Sequence, residues 1–237
     1  MSIPRQHEYR NMAIFIVLII IGVQWGFYAT YTSQFPTFKN STNIIHIHGA
    51  LLMTWLLLLV VQPMLIHLGK AKLHRTIGKV SYVLGPLIIL FLFLVGKGGY
   101  TRAAGKAPEE EILAVMALDI RGLVSFAILW ALAMLYRKTP SAHMRYMIAT
   151  GILGIGPGMG RGLINSLDYS LWTAMTITDV LDLLIVGVLL GIDLVKRNNY
   201  KPFMVVFVLL LVGAVIWQMR DSDLWQNFAR QYAALLY

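Results

Sequence analysis

The stretch TITDVLDLLIVGVLLGIDL, Thr176 to Leu194, decides how this chain is read. It is apolar enough to cross a bilayer, which takes about 20 such residues. Yet Asp179 and Asp182 lie well inside it, one helical turn apart and therefore on one face. At 1.5 Å per residue, Asp179 falls about 12 Å and Asp182 about 16 Å along the span. An isolated charge near the middle of a spanning helix costs about 3 kcal/mol. The two carboxyls must therefore face the bundle interior, pair with cations, or hold a proton. Asp193 shares their face but lies near the end of the span, where it is expected to reach water.

The rest of the chain has the same character. Of its 237 residues 58% are hydrophobic and only 13% charged, with a mean hydropathy of +0.68. A soluble domain carries about 25% charged residues. Seven runs read as spans, at residues 12–31, 43–67, 77–96, 113–136, 143–165, 171–195 and 203–219. The expected fold class is all-α, a polytopic membrane helix bundle with seven transmembrane helices forming one domain over residues 1–237. No polar block is long enough for a soluble domain. The first run follows the polar MSIPRQHEYRN and has no small-residue cleavage pattern, so it reads as an uncleaved span. After the last run, DSDLWQNFARQYAALLY reads as an interfacial amphipathic helix over about 222–236. Asp221, Ser222 or Asp223 is its expected cap.

The formal net charge is +9. The basic residues sit in short loops between apolar runs, a placement that points to orientation and anionic lipid headgroups, not to nucleic acid. One side collects Arg5, Arg10, Lys70, Lys72, Arg75, Lys79, Arg137, Lys138, Arg145, Lys196, Arg197 and Lys201. The other collects Lys39, Lys97, Arg102, Lys106, Arg220 and Arg230. The richer side, with the N-terminus, is expected to be cytoplasmic, and the membrane a bacterial inner membrane. With no cysteine, disulfides, thiolate metal sites and thiol catalysis are excluded.

Partners for the aspartates are sought on other spans at similar depth. Asp119 and Arg121 lie in the outer half of the fourth, about 200° apart around a helix. Arg121 shares a side with Ser125, and Asp119 one with Gly122 and Trp130. In the fifth, His143, Thr150, Gly154, Gly158, Arg161 and Asn165 fall near one face. Its glycines permit close helix approach, and Pro157 is expected to kink it. In the second, His48, Trp55 and Gln62 recur every seven residues, so His48 is read as inward and His46 as interfacial. The expectation is one polar cavity in the outer half, lined by His48, Asp119, Arg121, Arg161, Asp179 and Asp182. Its formal charge of minus one, with His48 neutral, calls for a proton or a cation. As an oxygen-and-nitrogen ligand set, His48, Asp119, Asp179 and Asp182 stand as an alternative divalent-metal site.

At the basic end, His67, His74 and His143 cluster. His74 and His143 are the natural axial pair for a b-type haem, and a three-histidine zinc site is a weaker variant. His48-Gly49, Trp55, Gln62, His74-Arg75-x-x-Gly78-Lys79 and Tyr82, with the later His143-Met144-Arg145-Tyr146-Met147, resemble an uncharacterised group of bacterial multi-pass membrane proteins. That resemblance covers spans two to five and implies a fold; it transfers no catalytic residue. The span count is similar to that of light-sensing rhodopsins, but the last span has no lysine for a retinal Schiff base.

GILGIGPGMGRG follows no strand and lacks the P-loop lysine, and no HExxH or G-x-S-x-G motif occurs. The leading expectation is thus an integral membrane protein that binds a small molecule or ion in the polar cavity. A haem redox protein and a structural subunit with partner chains stand beside it.

Overall fold

The protein is described by a computed structural model covering residues 6–38 and 41–237. The assignments of Arg5 and Lys39 to the two sides lie outside the described residues. Ten α-helices follow in order: α1 Gln6–Tyr28, α2 Asn43–His67, α3 Ala71–Gly78, α4 Ser81–Ala103, α5 Glu109–Leu135, α6 Pro140–Ile152, α7 Ile155–Leu167, α8 Leu171–Val195, α9 Lys201–Gln218 and α10 Asp223–Leu236. No strand occurs among the described residues. Seven helical stretches are long and apolar enough to cross a membrane, with α3–α4 and α6–α7 each counting as one. The protein is therefore a multi-pass membrane helix bundle.

Helices α2 and α8 begin and end where the sequence places them, because hydroxyl caps fix their starts. Thr42 Oγ1 accepts from the Ile45 amide at 3.4 Å and Ser170 Oγ from the Thr173 amide at 3.1 Å. Other bounds shift. The first helix begins at Gln6, not 12, and the third span splits into the short α3 and a longer α4 reaching Ala103.

The fifth span is broken at Leu153 and Gly154. Pro157 has no N–H to offer the Leu153 carbonyl four residues back, and its ring crowds that group. The chain pinches there, with the Leu153 amide donating to Ala149 and the Gly154 amide to Gly151. The result is two half-helices, α6 and α7.

Glycine draws α1 onto α7. A Cβ on Gly26 would overlap the Gly158 carbonyl, and one on Gly158 would lie 2.8 Å from the Val23 Cα. Around this contact Gly22 faces Met159, Gly162 faces the Trp25 ring, and Gly154, just before α7, faces Ile19 and Val23, so small residues at four-residue spacing let the two helices close up. The central core packs Trp55, Ile88, Leu129, Ile152 and Val186. Trp55 is 1% exposed and donates its indole N–H to Thr150 Oγ1 at 2.9 Å.

Helix α10 folds back over α5. Ser222 caps it, the Trp225 indole donates to the Leu113 carbonyl at 2.8 Å, and Arg230 pairs with Glu109 at 3.0 Å. Its Ala229 and Ala233 are buried while Leu224, Phe228 and Leu235 face outward. At the opposite, basic end of the bundle lie the α2–α4, α5–α6 and α8–α9 connections.

Candidate functional site

Helix α5 divides the ionisable groups between its two sides. Asp119 faces α4: a Cβ on Gly96 would sit 3.2 Å from the Asp119 Cβ. Trp130, on the same side of α5, donates to the Ser81 carbonyl at the start of α4. Arg121 points the other way, donating to Asp179 Oδ2 on α8 at 2.8 Å and to the Gly213 carbonyl on α9 at 3.1 Å. Gly213 is buried, and the Arg121 stem packs beside it. The arginine also lies 5.8 Å from the centre of the Trp217 ring.

Asp182, one turn beyond Asp179, is 8% exposed, and its Oδ1 has no hydrogen-bond partner among the described residues. It stands within the fields of Asp179 and Arg121. This cluster thus holds two carboxyls against one guanidinium. Beside it, a groove of about 310 Å³ runs between α8 and α9, with Asp179 in its wall and a lining otherwise mostly aliphatic. Near one end Gln218 Nε2 donates to Thr176 Oγ1 at 3.2 Å.

On the other side of α5, His48, Asp119 and Arg161 form a looser group. Arg161 acts electrostatically on both of the others. It lies 4.9 Å from the centre of the Phe27 ring and forms no ion pair among the described residues. His48 Nδ1 is buried and meets no partner there. Tyr237 closes this group from the α10 end, its hydroxyl 2.8 Å from where a Gly96 Cβ would be. His46 is held apart, its Nδ1 2.6 Å from the Tyr31 hydroxyl and its ring against Phe38.

The six residues expected in one chamber thus stand as two groups, Arg121–Asp179–Asp182 and His48–Asp119–Arg161. The roughly 200° between Asp119 and Arg121 separates them. Among the described residues no three His, Asp or Glu side chains lie close enough to hold a metal ion. The set His48, Asp119, Asp179 and Asp182 is therefore not assembled as metal ligands, and neither is the trio His67, His74 and His143. His74 and His143 each lie at the basic end, one held to the Gln62 carbonyl at 3.3 Å and the other to the Ala133 carbonyl at 2.8 Å.

Sequence reasoning missed a buried ion pair. Asp193 does not reach water; it is 3% exposed and takes a two-pronged contact from Arg145, Nε to Oδ2 and Nη2 to Oδ1, both at 2.6 Å. Arg145 also donates to the Ser141 carbonyl at 2.7 Å and lies beside the Phe203 ring, while Asn198 donates to Asp193 at 3.3 Å. The signal was present, since Asp193 continues the Asp179–Asp182 face three turns on and needs a cation on a neighbouring helix.

Neither family models, nor curated proteins, nor solved structures give a match to this chain.

Proposed function

We propose that this chain is an integral membrane protein that binds a small molecule or ion at the Arg121–Asp179–Asp182 cluster, the occupant being a proton or a small cation. Asp182 carries the reading. A buried carboxyl oxygen without a donor is costly, and the neighbouring cation is already engaged by Asp179. One positive charge completes the balance. The α8–α9 groove offers an approach to Asp179 from the side of the bundle. His48, Asp119 and Arg161 make a second polar group on the other side of α5. The proposed setting is a bacterial inner membrane, the basic end cytoplasmic and in contact with anionic headgroups.

The test uses the full chain in lipid nanodiscs. Infrared difference spectra are recorded across pH and across added Li⁺, Na⁺ and K⁺. The expected result is a carboxyl band that responds to pH or to one of these ions and disappears in Asp182→Asn. A spectrum that is the same in Asp182→Asn, Asp179→Asn and the parent overturns the proposal.

A further inference from the structure

The groove between α8 and α9 has room for more than a small ion. Asp179, Val180 and Leu183 wall it from one face of α8, and Leu211, Val215 and Gln218 from one face of α9. The two helices run antiparallel, so the groove is graded along its length. At the α10 end Gln218 Nε2 donates to Thr176 Oγ1 at 3.2 Å. One turn further in, about 4.5 Å along the axis, comes Asp179. Beyond it Leu183 and Leu211 close the walls, with no polar side chain between them. Val180, Leu211 and Val215 are exposed on the outside of the bundle, so the groove opens on hydrocarbon and not on water. Its volume of about 310 Å³ stands at the lower end of small-molecule pockets, which join an apolar lining to a few placed polar groups.

Those polar groups suit a donor that carries positive charge. Asp179 gives Oδ2 to Arg121, and its Oδ1 accepts no hydrogen bond among the described residues. The side chain is 12% exposed, and unlike Asp182 Oδ1 this second oxygen is not sealed in. A carboxylate accepts at both oxygens. Arg121 is engaged by Asp179 Oδ2 and the Gly213 carbonyl and takes no part in the groove wall. No basic side chain lines the groove. An anionic head would therefore meet Asp179 with no cation in reach. An ammonium meets the open oxygen, beside a cluster whose two carboxyls outnumber its guanidinium.

We infer that the α8–α9 groove binds an amphiphilic amine, its ammonium on Asp179 Oδ1 and its alkyl tail running inward between Leu183 and Leu211. The inference rests on the reading of Arg121–Asp179–Asp182 as a cluster one positive charge short. The volume suits a single short chain or ring. The ammonium takes the place of the small cation, so the two exclude each other.

The experiment uses the purified full chain in nanodiscs and decylamine carrying a photoreactive diazirine. Diazirine-bearing decanol and decanoic acid are the neutral and anionic probes. After irradiation the labelled peptides are mapped by mass spectrometry. The amine is expected to mark Val180, Leu183, Leu211 and Val215 at least about tenfold more strongly than either other probe, the margin of a hydrogen bond to a charged group. Leu183→Trp, which fills the groove, is expected to lose this label, and Leu184→Trp, on the exposed side of α8, to keep it. Should Leu183→Trp misfold, the parent decides alone: excess unlabelled decylamine is expected to displace the label and excess decanol to leave it. Equal labelling by the three probes, or a label that survives Leu183→Trp or excess decylamine, overturns the inference. The infrared response to pH and ions is recorded without amine. If it persists while the groove takes no amine, only this inference falls; if it is absent as well, the ion reading falls with it.

Discussion

Asp179 and Asp182 differ in what their loss does. Asp179→Asn takes the counter-charge from Arg121, leaving the guanidinium with the Gly213 carbonyl. An uncompensated charge of this kind costs about 3–5 kcal/mol, so this variant is expected to unfold well below the parent in a denaturant titration in micelles. Asp182→Asn removes a carboxyl oxygen that has no donor and is expected to fold at least as stably as the parent. Equal losses in the two variants would contradict the division of roles. Arg145 and Asp193 follow the same logic: each single truncation is expected to cost about 3–5 kcal/mol, and the double variant Arg145→Met with Asp193→Leu far less than the sum. A double-mutant cycle on thermal unfolding measures the difference.

Among the elements, the α1–α7 seam is the tightest constraint. A side chain at Gly26 or Gly158 meets backbone, which has no rotamer to yield. Gly26→Ala is expected to destabilise by about 1–3 kcal/mol, whereas Gly49→Ala, with open space around it, is expected to change little. Thermal unfolding of the two variants side by side checks this. The seam also marks what the sequence made legible. Hydropathy located all seven membrane stretches, and Pro157 announced a kink where the structure breaks the span into α6 and α7. What stayed hidden was rotation about each helix axis. Asp119 and Arg121 were seen to diverge, but only packing tells which neighbour each one meets. Arg145 sat among residues assigned to the basic surface, so its burial against Asp193 went unread.

At the scale of the whole molecule, α10 and Tyr237 join the end of α5 to the polar group around Asp119. Tyr237 packs against Phe93, Tyr100 and Tyr232. Burial, then the neighbouring Tyr232 and Asp119, push its phenol above the ordinary tyrosine range. The folded state therefore holds this proton more firmly than the unfolded chain, and stability contributed by the contact is lost as pH rises above about 10. Alkaline titration is expected to release α10, read as a change in Trp225 fluorescence, and Tyr237→Phe to move that release to higher pH. The groove between α8 and α9 has a different consequence. An amphiphilic amine that enters it from the acyl chains would compete with the small cation beside Asp179, at an effective concentration set by partition into lipid. Dose–response curves for a homologous series of amphiphilic amines would then converge when plotted against membrane content and spread apart when plotted against the aqueous dose.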